Sequence, residues 1–350
     1  MTEGVTRRLG YVPALDGVRA FAVLAVIGVH LNIRYFRFGY IGVTVFFVLS
    51  GFLITTVLLE EWHLTNSIRL LGFYRRRALR LLPAATLLVL VSLLPFNPNP
   101  FADRAKAALM TSVYVANWAW AFPSIKMGSL THTWSLSLEE QFYLLWAPML
   151  IGLLYFGWTR FRLTSITCLL IVVACGIRLV LVWSGSPPLR IYYGLDTRAS
   201  GLLIGCLAAA TLSFHRDHPV VRSGRMRLAI ALALAPLAIY QAIYFSWNDR
   251  ADFIIGYPVV ETLSVLLILT LVLERESWLS RVLEMPALVW AGRISYGLYL
   301  WHWLVIYALA TVPMHPIFRH AVVLGVTFSA AAISYYAVER PFLRLKARPA

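Results

Sequence analysis

Apolar runs of about 16 to 24 residues recur along the whole chain, the length a helix needs to cross the hydrocarbon of a bilayer. They fall at 16–36, 38–59, 81–96, 105–122, 134–157, 163–183, 193–214, 228–246, 255–273, 287–310 and 320–339. In lipid, every backbone N–H and C=O must be satisfied within the segment, so such runs are confined to helices. Composition excludes an ordinary soluble domain, because 60% of the 350 residues are hydrophobic and 13% are charged. The predicted fold is an all-α membrane protein, with residues 1–350 forming a single transmembrane domain.

The 31 Lys and Arg exceed the 16 Asp and Glu, a balance that in a soluble chain would suggest a nucleic-acid partner. Here the basic residues gather in short stretches between apolar runs, the orientation signal of a multi-pass protein, so no nucleic-acid partner is expected. If 105–122 does not cross, the stretches 75–80, 159–162, 215–227 and 274–281 and the tail 340–348 share one side with Arg7 and Arg8. If it does cross, every later basic stretch is flipped outward. The charges therefore predict about ten transmembrane helices, 105–122 as an interfacial or re-entrant helix, and both termini cytoplasmic. Met1 to Leu15 lacks an apolar core and a small-residue cleavage site, so the first helix is expected to be an uncleaved anchor, with no soluble domain at either end. Cys168, Cys175 and Cys206 all lie in apolar runs and read as small hydrophobes; no metal site is expected.

The ionisable residues inside the apolar runs carry the functional information, since buried charge in a membrane is costly. Arg19 and His30 are eleven positions apart, about three helical turns, and share one face roughly 16 Å apart along the axis. Asp16 precedes Arg19 by three residues and can pair with it. "FYRRRALRLLP" at 73–83 packs Arg75, Arg76, Arg77 and Arg80 into what reads as a cytoplasmic loop. Guanidinium forks suit a phosphate-bearing ligand, although topology and anionic lipid would explain the same cluster. "THTWSLSLEEQFYLLWAPML" at 131–150 places Glu139 and Glu140 below the outer surface, and "YYGLDTRASG" at 192–201 adds Asp196 and Arg198, for which an interhelical ion pair is the structural alternative. Two clusters result: Asp16, Arg19 and the arginine stretch near the cytoplasm; His30, Glu139, Glu140, Asp196 and Arg198 nearer the outside.

Six stretches in this order resemble the bacterial acyltransferase-3 family of integral membrane O-acyltransferases. They are the arginine, ten residues, histidine pattern of Arg19 and His30; "GYIGVTVFFVLSGFLIT" at 39–55; the arginine, two residues, arginine pattern of Arg77 and Arg80; "WSLSLEEQFY" at 134–143; "GRISYGLYLWHW" at 292–303; and "VERPF" at 338–342. One departure is Thr44, where the family commonly has Asp. The pattern is that of the membrane domain alone, without the extracellular hydrolase-like domain of some relatives.

The resemblance implies a multi-pass enzyme of the bacterial cytoplasmic membrane. Its activity would be transfer of an acyl group, often acetyl, from acyl-CoA to a hydroxyl of a sugar, glycolipid or glycosylated metabolite. Acyl-CoA, a carbohydrate acceptor and membrane lipid are then the expected partners. Arg77 and Arg80, with Arg75 and Arg76, would hold the CoA phosphates. His30 would be the general base or a transient acyl carrier, Arg19 with Asp16 would guide the donor, and Glu139 or Glu140 would orient His30 or bind the acceptor. Asp196, Arg198 and Trp134 are the acceptor-side candidates. The alternative function is a proton-coupled secondary transporter, which buried His, Glu, Asp and Arg would also suit, but neither repeated halves nor paired broken spans are evident.

Overall fold

The computed structural model describes residues 9–95, 99–123, 125–156, 160–214, 218–244 and 249–345. Among these residues the regular structure is helical, with no strand. The first half comprises α1 (Pro13–His30), α2 (Ile41–Thr65), α3 (Leu70–Ser92), α4 (Phe101–Ser112), α5 (Ala116–Ala121), α6 (Trp134–Tyr155), α7 (Arg160–Trp183) and α8 (Pro188–Tyr193). The second half comprises α9 (Leu195–Phe214), α10 (Pro219–Arg222), α11 (Gly224–Tyr244), α12 (Tyr257–Leu273), α13 (Trp278–Leu283), α14 (Pro286–Arg293), α15 (Ser295–Ala308), α16 (Pro316–Ile333) and α17 (Arg340–Leu345).

Helix α1 is the axis of the bundle. It opens with Pro13 in its first turn, where the missing N–H costs nothing, and 13 of its 18 residues are buried. Around it stand α2, α13, α14 and α15. The most extensive helix pair is α2 with α9, and glycine makes that approach possible. A Cβ on Gly51 would strike the Leu202 carbonyl oxygen, and one on Gly205 the Val48 carbonyl oxygen. Lipid cannot drive apolar helices together as water does, so close backbone approach through small residues supplies the attraction. On the perimeter, α7, α11 and α16 present Leu169, Val172, Leu232, Ile239, Ile317 and Phe318 outward, the apolar exterior a bilayer requires.

Among the described residues, seven helical stretches are long and apolar enough to cross a membrane: 13–30, 34–65, 161–183, 188–214, 224–244, 252–273 and 316–345. They coincide with seven of the predicted runs. Of the other four, two are broken locally and two are helical. The run 105–122 is two helices, α4 and α5, separated by a turn in which Tyr114 takes φ +56°. The run 287–310 breaks at Ile294 (φ −93°, ψ 7°) into α14 and α15. The run 134–157 is helical as α6, and 81–96 is the second half of α3, which starts at Leu70. Residues 73–83 are therefore helix, not loop. On a helix Arg76, Arg77 and Arg80 share one face, while Arg75 points away.

Candidate active site

Two of the cavities in the structure are lined by residues of α1. The first, about 230 Å³, is lined by Arg19, Arg76, Arg77, Arg80, Glu139 and Glu140 together with tyrosines 114, 143, 296 and 299. Most of its cations are already paired. Asp16 Oδ1 accepts from Arg19 Nη1 at 2.9 Å, and Glu61 Oε2 from Arg76 Nη2 at 2.9 Å. Arg77 donates to Glu140 Oε1 from Nε at 2.8 Å and from Nη2 at 2.6 Å, lies 4.0 Å from Glu139, and sits 3.6 Å over the Tyr143 ring. Arg80 is exposed to the cavity and makes no ion pair within 4.0 Å among the described residues. Arg75 is exposed and outside the lining.

The second cavity, about 270 Å³, has a different chemistry. Its lining is aromatic, with Tyr40, Trp120, Trp134, Tyr192, Tyr193 and Trp303, and its titratable nitrogen comes from His30 and His132; no Lys, Arg, Asp or Glu belongs to it. The two cavities share Val43 and Tyr299. Tyr299 is held firmly: its hydroxyl donates to the His132 carbonyl at 2.9 Å and lies 2.6 Å from Ser135 Oγ. Histidines cluster at this boundary. His30 Nδ1 is 3.0 Å from His302 Nε2, His302 Nδ1 is 2.6 Å from the Tyr299 carbonyl oxygen, and His132 Nε2 is 2.9 Å from the Leu300 carbonyl oxygen. Among the described residues no group of three or more His, Cys, Asp or Glu is placed to hold a metal ion.

The structure sorts the sequence candidates differently from their order along the chain. Arg19 and His30 look into separate cavities, divided by the rise of α1. Glu139 and Glu140 lie with the arginines rather than with His30. The reason is depth. Helix α6 begins at a buried Trp134, after the buried His132 and Thr133, so a little over one turn carries it past the septum. Trp134 lines the aromatic cavity, whereas Ser135, Glu139 and Glu140 line the cationic one.

The expected interhelical ion pair forms for Asp196 but, among the described residues, not for Arg198. Asp196 is gripped by both Nη atoms of Arg190, at 2.9 and 2.5 Å. Arg198, 1% exposed, donates to Thr44 Oγ1 at 3.1 Å and stacks 3.9 Å from the Tyr257 ring, its Nε and Nη1 unpartnered. Neither residue lines either cavity. Sequence reasoning missed His132, His302 and Tyr299. The signal for His302 was present, since it interrupts an apolar run just as His30 does.

Fold and cavities together define a membrane-embedded protein in which a cationic chamber and a histidine-bearing aromatic chamber meet at a thin wall. Residues 12–339 match the family model described as an acyltransferase domain, that of the acyltransferase-3 family. The chain belongs to this family. Among its relatives, the peptidoglycan O-acetyltransferase OatA of Listeria monocytogenes is 36% identical over 354 residues, 95% of this chain and 56% of the relative. The O-acetyltransferase OatA of Staphylococcus aureus is 32% identical over 349 residues, 95% of this chain and 57% of the relative. The chain thus spans a little over half the length of these relatives. No solved structure matches it.

Proposed function

We propose that this protein transfers an acetyl group across the wall between its two cavities, from a donor in the cationic chamber to a hydroxyl in the aromatic one. The observation that supports this reading is the shared lining, Val43 and Tyr299, through which the arginine-lined cavity adjoins the cavity that holds His30. The donor has an anionic head and a slender thioester arm, and acyl-CoA, acetyl-CoA in particular, is the donor proposed. Arg80 receives the head and Arg19 flanks the arm. The acceptor is a carbohydrate of the cell envelope, of the kind named by the peptidoglycan O-acetyltransferase relatives. A neutral chamber walled by tyrosine and tryptophan, with few polar groups, suits the flat apolar faces of a sugar ring.

In this scheme His30 removes the proton of the acceptor hydroxyl as that oxygen attacks the acyl carbon. The acyl–sulfur bond breaks, and the imidazolium returns its proton to the departing thiolate. The basic stretches support a cytoplasmic side for the cationic chamber and both termini, with the cytoplasmic membrane as the proposed location. A transporter reading has no observation in its favour that the acyltransferase reading lacks. Purified protein given labelled acetyl-CoA and a soluble glycan should form an alkali-labile ester on the glycan; absence of ester while the protein binds both ligands would refute the proposal.

Two variants separate the parts of the scheme. Arg80→Ala should weaken acetyl-CoA binding by about 1–3 kcal/mol, the worth of a charge-assisted hydrogen bond, while Arg75→Ala should leave it unchanged. Calorimetric titration in detergent distinguishes the two, and equal effects would assign the cluster to charge alone. Val43→Phe should fill the wall, lowering turnover at least tenfold with donor affinity intact; unaltered turnover would mean that the acyl group travels by another route.

A further inference from the structure

We infer that His302 is a positioning residue that fixes the tautomer of His30, leaving Nε2 of His30 as the basic nitrogen. The inference rests on the proposed general-base role of His30 and says how the fold prepares it. Its starting point is a carbonyl. The Tyr299 oxygen can only accept, and His302 Nδ1 lies 2.6 Å from it, so that nitrogen carries a hydrogen. His302 is fully buried with no carboxylate among its partners, so it is a neutral imidazole with one N–H. Its Nε2 therefore presents a lone pair.

His30 Nδ1 lies 3.0 Å from that lone pair. Two lone pairs cannot face one another at this distance, so His30 Nδ1 carries the hydrogen, and the remaining nitrogen, Nε2, is free to accept a proton. The ring planes agree. They lie within 15° of each other with centroids 5.2 Å apart, which with a 3.0 Å nitrogen separation is an edge-to-edge arrangement with the N–H aimed along the lone pair. His132 does not compete for His302, because it donates through Nε2 to the Leu300 carbonyl. Hydrogen bonds thus run one way: His30 to His302 to the Tyr299 backbone.

When His30 takes the acceptor's proton on Nε2, its Nδ1–H stays bound to His302, so the ring neither turns nor changes tautomer during the reaction. The arrangement resembles the orienting carboxylate of a hydrolase triad, with a neutral imidazole in its place. The same Tyr299 also forms the cavity wall and receives the Ser135 contact, so the base is registered directly to the place where the acyl group must pass.

The test compares His302→Leu with His302→Gln in the full chain. Glutamine's amide can donate to Tyr299 with its NH2 and accept from His30 with its oxygen. His302→Leu should lower kcat about 100-fold, with the donor KM within about twofold of the parent, and His302→Gln should recover most of that loss. Full kcat in His302→Leu, or a glutamine variant no better than the leucine one, would overturn the inference. A readout independent of either variant's folding is the 15N spectrum of histidine-labelled parent protein, with the His30 signals assigned by their loss in His30→Gln. Protonated Nδ1 and bare Nε2 are expected, and protonated Nε2 would refute the assignment. If His30→Ala keeps full turnover, the base role falls and this inference with it; if only His302→Leu is silent, the base role stands.

Discussion

Replacing His30 with alanine should lower acyl transfer about 10²–10⁴-fold, the range for loss of a positioned general base, and leave donor binding intact. The separation of the two effects follows from the fold. His30 lines the aromatic chamber, while the free guanidinium of Arg80 and the Asp16-paired Arg19 line the cationic one. Along α1 the two functions lie about 16 Å apart, so truncating one leaves the other's side chains in place. His30→Gln should be no better than alanine, since the amide can hydrogen-bond but cannot take up a proton at neutral pH. Steady-state turnover and acetyl-CoA affinity, measured on both variants, check this directly. A glutamine variant with near-parental turnover would move the base elsewhere, and His132, whose Nδ1 is buried without a partner, would be the next candidate.

The second large effect concerns the scaffold. Gly51→Val should remove most folded protein. At Gly51 even a Cβ would collide with the Leu202 backbone, which no rotamer change can relieve, so α2 and α9 would have to part. Overpacking a close contact typically costs about 1–3 kcal/mol, and a clash with fixed backbone belongs at or beyond the upper end. Since α2 also carries Val43 and Ser50 into the cationic chamber, separation of the helices would open the wall as well. Fluorescence-detected size exclusion and thermal unfolding in detergent measure the outcome. Gly152→Ala is the matched control, because a Cβ there meets nothing within 4 Å. Equal stability of the two variants would show that the α2–α9 contact is looser than described.

Much of this arrangement is legible in the amino-acid order, and the parts that are not have identifiable causes. Arg19 and His30 stand out because ionisable groups inside an apolar helix have few inexpensive explanations, and their spacing alone places them on one face. The arginines of 75–80 are legible as a cluster but not as a helix, since Leu70 to Arg80 lacks the apolar continuity that marks α3 further on. The sequence groups Glu139 and Glu140 with His30 whereas the structure sets them beside the arginines, because a run of apolar residues says where a helix exists, not how deep its first turn is buried. The interhelical ion pair expected of Asp196 is present, with Arg190 six positions away across the start of α9, whereas Arg198 takes the Thr44 hydroxyl and the Tyr257 ring, partners that local pattern does not reveal. The Tyr299 contacts to Ser135 and His132 bridge more than 160 positions, and local pattern holds no trace of pairings at that separation.

The central claim is that donor and acceptor meet from opposite sides of one membrane. Sealed proteoliposomes test it without controlling how the protein inserts. Labelled acetyl-CoA trapped inside with a membrane-impermeant glycan outside should yield labelled ester, because one of the two inserted orientations always faces the right way. With donor and glycan both outside, intact vesicles should yield essentially none until detergent opens them. Ester formed as fast from the same side as from opposite sides would contradict a transfer through the wall between the two chambers.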